Sequence, residues 1–219
     1  MPDSIAHRPA RDTVQPGRLL LIRHAEVEER YQNVFGGQID MELSPEGHEQ
    51  ALKLAAALRR NSVSAIYSSP MKRVQQTLAP FVRESGLRQE ILPALREVHF
   101  GDWTGLNWEE VGERFGIHPY DWLDEIQMGR VPNGETGMEF RARVEPSLDR
   151  IIGAHPAQTV AVFSHGGVIR MILSTLLGLP LPKTNQFEIE YASITRIALH
   201  RHMNEIELLN FVPWRDMAG

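Results

Sequence analysis

Leu19-Leu20-Leu21-Ile22-Arg23-His24, near the start of the chain, and Thr159-Val160-Ala161-Val162-Phe163-Ser164-His165, late in it, decide how this sequence folds. Both are continuous apolar runs without polar alternation, the signature of strands buried on two faces, as in parallel sheets sandwiched between helices. Both end in histidine. In open α/β sheets the crevice beyond the carboxyl ends of the strands is the usual ligand site, so the two imidazoles are expected to face one pocket despite their separation in the chain.

The rest of the chain fits around those strands. Ser44-Pro45-Glu46 supplies a capping residue, a proline at the first helical position and an early acid, and the spacing of Ala51, Leu54, Ala55 and Leu58 predicts a helix over 45–60. A short strand is expected over 63–67. Ser68-Ser69-Pro70 breaks it before a helix over 71–85, which Pro80 should kink or end early. A weaker strand is expected over 91–95. Residues 103–134 are aromatic and turn-rich (Trp103, Trp108, Phe115, Tyr120, Trp122), as suits a cap over the main body. Helices over 140–152 and 168–177 flank the second long strand, and 194–199 with 206–212 suits an antiparallel hairpin. Strands alternating with helices imply an α/β fold, a three-layer α/β/α sandwich with a mostly parallel sheet and an antiparallel edge. One domain over 17–219 is expected, preceded by a flexible tail over 1–16.

Composition removes several functions. With 28 acidic against 23 basic residues, a net charge of −5 and no dense Lys/Arg stripe, the chain is not expected to bind nucleic acid. It has no cysteine, which excludes disulfides, thiolate nucleophiles and Cys-ligated zinc. No apolar run approaches the ~20 residues needed to span a bilayer, and the first 16 residues lack an apolar secretory core. No membrane association and a cytoplasmic location are therefore expected.

Arg23 precedes the first histidine, Arg73 follows another strand-ending turn, and Glu97 follows the third strand candidate. Each alone would be unremarkable: a hydrogen-bonded histidine, a solvated cation, a surface acid. Together at strand exits they form the set that phosphoryl transfer through histidine requires. A neutral imidazole attacks phosphorus, fixed cations stabilise the equatorial oxygens, and a carboxylic acid protonates the departing alkoxide and later activates water. Arginine suits the task because its planar fork matches two phosphate oxygens at once.

Arg23-His24-Ala25-Glu26, Phe35-Gly36-Gly37-Gln38-Ile39-Asp40, Leu43 to Ala51, Ser68 to Thr77, Leu95 to Gly105, Pro132-Asn133-Gly134-Glu135-Thr136 and Ser164-His165-Gly166-Gly167 resemble, in order, motifs of the histidine phosphatase superfamily, the phosphoglycerate-mutase-like enzymes. The resemblance implies a metal-independent histidine acid-type phosphatase, without a cofactor, that hydrolyses a small phosphorylated metabolite. A homodimer is also an open expectation. By the same resemblance, His24 would be the phosphohistidine nucleophile, Glu97 the acid and base, and Arg23, Arg73 and His165 the phosphate pocket, with Gly37 and Gly166 at its backbone. Ala25 stands where the motif has glycine, which is harmless only at negative φ. Arg30 stands where many members have a phosphate-contacting asparagine; it either adds a cation or points away.

Three other readings were weighed. A phosphoglycerate-type mutase shares the pocket, but the family's mutases carry a longer and more basic insertion than 103–134. A non-catalytic phospho-ligand module would make His24 and Glu97 superfluous. A metal site built on His24, His165 and His99 would set a cation against two arginines. Trp108 and Trp122 are expected to be packing residues, and His48, His118, His155, His200 and His202 surface ones. Among the small phosphatases of this family, α-ribazole phosphatases and broad-specificity sugar or acid phosphatases remain undistinguished.

Overall fold

The computed structural model describes residues 15–216; of the expected tail, residues 1–14 lie outside that range. The six strands are β1 (Gly17–Arg23), β2 (Val63–Ser68), β3 (Gln89–Ile91), β4 (Thr159–Ser164), β5 (Ile194–Leu199) and β6 (Asn204–Phe211). They form one sheet in the order β3-β2-β4-β1-β5-β6. The first four are mutually parallel, and β5 and β6 make the antiparallel edge.

The two long apolar runs are strands buried on both sides. Leu19 and Leu21 of β1, with Val160 and Val162 of β4, join one core; Leu20, Ile22, Ala161 and Phe163 join the other. The first core is closed by α5 (Gly137–Ala154) and α6 (Gly166–Leu177), the second by α1 (Pro45–Leu58) and α2 (Lys72–Ser85). A fully buried leucine contributes about 2 kcal/mol, so a one-residue register slip in β1 would exchange two complete sets of contacts. The three-layer α/β/α sandwich with its antiparallel edge is thus present.

Local differences have local causes. The helix over Pro80 does not stop there: α2 runs on to Ser85 and ends at Gly86 in the left-handed conformation. An internal proline costs about 3 kcal/mol, but Val74, Leu78 and Phe81 on this helix are buried, at about 2 kcal/mol each, and outweigh it. The expected strand over 91–95 is displaced. β3 ends at Ile91, and Pro93 opens a 3-10 turn over Pro93–Leu95.

The segment over 103–134 folds as a cap with two helices, α3 (Trp108–Phe115) and α4 (Trp122–Gln127). Trp103 is fully buried, and Phe35 meets Trp108 with ring centroids 4.3 Å apart, which fixes the cap to the loop after β1. A final short helix, α7 (Pro213–Asp216), packs near α1. Among the described residues no helix is long and apolar enough to cross a membrane.

Candidate active site

The parallel register of the two central strands brings the histidines together. Ile22 pairs with Phe163 and Arg23 with Ser164, and the His24 amide donates to the Ser164 carbonyl at 3.0 Å. The two imidazole centroids are 5.3 Å apart, edge to face. On the other side of β4, the Ser69 amide donates to the Phe163 carbonyl, so the end of β2 lies beside the same spot.

The His24 ring has a defined tautomer. Nδ1 lies 2.9 Å from the Ala25 carbonyl, which can only accept, so Nδ1 carries the proton and Nε2 keeps its lone pair. Burial first, then the positive fields of Arg73 and Arg23, hold His24 well below the ordinary histidine pKa of 6.5. The ring is therefore neutral at physiological pH, as a nucleophile must be. His165 is completely buried and pushed the same way by burial, then Arg73, His24 and Arg23. Its Nε2 lies 2.9 Å from the Ser69 hydroxyl. With that hydroxyl donating, Nδ1 bears the ring proton, and Nδ1 is buried without a partner among the described residues.

The strand-exit loop is clamped from below. Ser44 caps α1 by accepting from the Gly47 amide at 2.9 Å and donates to the Glu26 carboxylate at 2.7 Å. A Cβ on Gly47 would lie 2.0 Å from the Glu26 carbonyl oxygen, so only glycine permits the approach. Ala25, which replaces the motif glycine, is not among the residues with positive φ; its amide donates to Thr77 on α2. The substitution is sterically harmless.

Three arginines reach the cavity, and each is held by carbonyl oxygens. Arg23 donates to Ile189 at 2.7 Å and stacks 4.1 Å over the Tyr191 ring, while its Nε is buried without a partner. Arg73, in the first turn of α2, donates to Ile39 at 2.8 Å and Gly37 at 2.9 Å. Gly37 has φ +47, and a Cβ there would crowd Phe100 and the Val98 carbonyl, so the glycine turn orients this arginine. Burial, opposed by Glu97 and reinforced by Arg23, brings the Arg73 pKa down to about 10. Arg170 on α6 is the third.

Glu97 enters from the segment after β3. That segment is tied to β4 by the Ser164 hydroxyl, which donates to the Leu95 carbonyl at 2.9 Å. The Glu97 carboxylate accepts from the Gly167 amide at the start of α6 (3.1 Å) and from its neighbour Val98 (2.9 Å). A Cβ on Gly167 would fall 2.5 Å from the carboxylate, so any larger residue here would push the Glu97 side chain out of this position. From behind, Arg143 of α5 donates to the carbonyls of Ala94, Arg96 and Glu97 while forming a bidentate pair with Glu135. The Glu135 amide and carboxylate in turn bond the backbone of His99.

His24, Arg23, Arg73, Arg170, Glu97 and Tyr191 line one cavity of about 560 Å³, with Gly37 and Gly166 in its wall; the fully buried His165 does not. That volume suits a small organic ligand. Arg30 does not join them: it is exposed, pairs with Glu28 at 3.0 Å and lies over the Tyr31 ring. His99 is exposed as well, its Nδ1 accepting from the Gly101 amide. Trp108 and Trp122 do pack, but both also line the cavity, as does Tyr120, so the packing expectation was incomplete. His155 is half-buried rather than fully exposed, 3.0 Å from the Tyr67 hydroxyl. Sequence reasoning missed Arg170, Tyr191 and the Arg143–Glu135 pair. Two of them carried a signal: Arg170 is a lone charge in an otherwise apolar helix, and Glu135 lies in the Pro132 to Thr136 motif.

The chemistry of this site agrees with its relatives. Phosphoserine phosphatase 1 of Hydrogenobacter thermophilus is 33% identical over 193 residues, 88% of this chain and 92% of that protein. The adenosylcobalamin/alpha-ribazole phosphatase of Escherichia coli K12 is 27% identical over 88% of this chain and 95% of its own. Among solved structures, a mycobacterial glucosyl-3-phosphoglycerate phosphatase with inorganic phosphate superposes with a TM-score of 0.79. It is 26% identical and aligned over 90% of this chain and 98% of its own. The family model for the histidine phosphatase superfamily (branch 1) matches residues 19–212, nearly the whole described chain, and the protein belongs to that superfamily.

Proposed function

We propose that this protein hydrolyses a small phosphomonoester in two steps on His24, and that residues 17–219 act as one catalytic unit with 103–134 as its cap. The observation that carries the proposal is the neutral, tautomer-fixed imidazole of His24 surrounded by arginines that bind only carbonyl oxygens. The substrate phosphoryl group takes the place between Arg23, Arg73 and His165, where Arg23 Nε and His165 Nδ1 have no partner among the described residues. His24 Nε2 attacks phosphorus as the ester oxygen departs, and Glu97 delivers a proton to that oxygen. Glu97 then removes a proton from water as its oxygen attacks the phosphohistidine, releasing inorganic phosphate and restoring His24. The arginines and His165 stabilise the charge spread over the equatorial oxygens in both transition states.

The test is chemical. Rapid quenching of the enzyme with labelled phosphomonoester under non-acidic conditions should leave label on His24, and His24→Ala should lower kcat by at least about a thousandfold. Label on a serine or aspartate, or an active His24→Ala protein, would overturn the mechanism.

A further inference from the structure

Arg170 takes no part in the reaction as proposed, yet it lines the same cavity. It stands on the apolar helix α6, where its Nη1 donates to the Gly166 carbonyl at 3.3 Å and its Nη2 to the Phe187 carbonyl at 3.0 Å. Its Nε is buried with no partner, and no carboxylate among the described residues forms an ion pair with it. Burial and the neighbouring Arg23, partly offset by Glu97, lower its pKa to about 10, so it remains charged at neutral pH. A half-buried cation lacking a counter-ion still loses hydration without compensation. Arg73 and Arg23 have an evident occupant in the phosphoryl group; Arg170 has none.

Its position indicates what the counter-ion is. A Cβ on Gly166 would lie 3.3 Å from Arg170 Nη1 and 3.7 Å from Arg23 Nε, so the two guanidinium groups flank one residue. The next residue, Gly167, donates to Glu97, the acid that would meet the ester oxygen. In the reaction proposed above, Arg170 would therefore stand on the Glu97 side of the phosphoryl group, where the alcohol would leave. The Trp122 ring lies 6.0 Å from its guanidinium on the cap side. Tyr120 and Asn185 line the same cavity and are uncharged. With Arg23 committed to the phosphoryl group, the Arg170 guanidinium edge is left to match one planar monoanion.

We infer that Arg170 binds a carboxylate on the leaving alcohol, which makes small phosphorylated hydroxy acids the preferred substrates. The inference rests on the phosphatase reading above. Its test compares kcat/KM for 3-phosphoglycerate and glycerol 3-phosphate, esters that differ in carrying a carboxylate or a hydroxymethyl group. The wild type should prefer the carboxylate by about tenfold or more. Arg170→Met should collapse that ratio, chiefly by raising KM for 3-phosphoglycerate, and Arg170→Lys should retain part of it. Equal hydrolysis of the two esters by the wild type would overturn the carboxylate assignment alone, as would equal losses on both in Arg170→Met. Should Arg170→Met fail to fold, the wild-type ratio and its change in Arg170→Lys decide the matter. Hydrolysis of neither ester, nor of p-nitrophenyl phosphate, would overturn the phosphatase reading itself.

Discussion

Two groups of cations in this protein are held in opposite ways. At the cavity floor, Arg23, Arg73 and Arg170 donate to backbone carbonyls and meet no carboxylate in an ion pair. On the outer surface, Arg30 pairs with Glu28, Lys72 with Glu42, Arg114 with Glu110 and Arg130 with Glu125. A carbonyl oxygen fixes the direction of a guanidinium without neutralising it, whereas a carboxylate does both. The floor thus keeps its positive charge for an arriving anion although the whole chain is acidic. A net charge says little about an enzyme that segregates its ions in this way.

Removing one member of each population gives the largest contrast. Arg73→Met should lower kcat/KM for a phosphomonoester by about a hundred- to a thousandfold, the usual cost of losing one preorganised donor to a transition state. Arg30→Met should change it by less than about threefold, since an exposed pair contributes little. Steady-state kinetics on the two variants would decide; a comparable loss in both would dissolve the distinction.

Glu97 lies between the two populations, an acidic side chain at the floor held by amides rather than by a cation. Glu97→Gln should lose about a hundredfold on an alkyl phosphate, and markedly less on p-nitrophenyl phosphate, whose leaving group needs little protonation. Equal losses on both esters would point to slow dephosphorylation instead and remove the acid role.

The smallest effect is in pH. Because the native-state pKa values of His24 and His165 are depressed, both rings stay neutral as the pH falls through 6.5, and His24 should impose no acid limb on kcat/KM there. Their contribution to stability has the matching sign. It is fully present above the unfolded-state value of about 6.5 and is lost as the pH falls below it, since the unfolded chain takes up protons that the native one refuses. The urea midpoint should therefore drop between about pH 7 and pH 5.5, and drop less in a His24→Asn, His165→Asn protein. A midpoint independent of pH in the native sequence would contradict the buried neutral state.

Legibility followed the range of the forces involved. The central strands were readable because Leu19 to Ile22 and Val160 to Phe163 must be apolar on both faces whatever surrounds them. Strand-end histidines inherit their place from that pattern, and so does Arg73, in the first turn of a helix that follows a strand. β3 was misplaced because a three-residue edge strand carries almost no hydrophobic signature, and Pro93 ends it. The fate of Arg30 could not be read, since Glu28 two residues away competes for it with any ligand. The role of Arg143 with Glu135 was hidden for another reason, although Glu135 lies in a quoted motif: the pair acts on the Glu97 segment only after α5 has packed behind it. Arg170 was overlooked because it interrupts an apolar helix that reads as plain core.

The β1–β4 register also links catalysis to the way the chain folds. His24 lies before most of the protein and His165 after most of it, so the site does not exist until a long-range parallel pairing has closed. Helices such as α1 and α2 are joined by short-range contacts and form on a faster timescale, while non-local strand pairing is intrinsically slow. During refolding from denaturant, helical signal should return first and turnover should lag behind it.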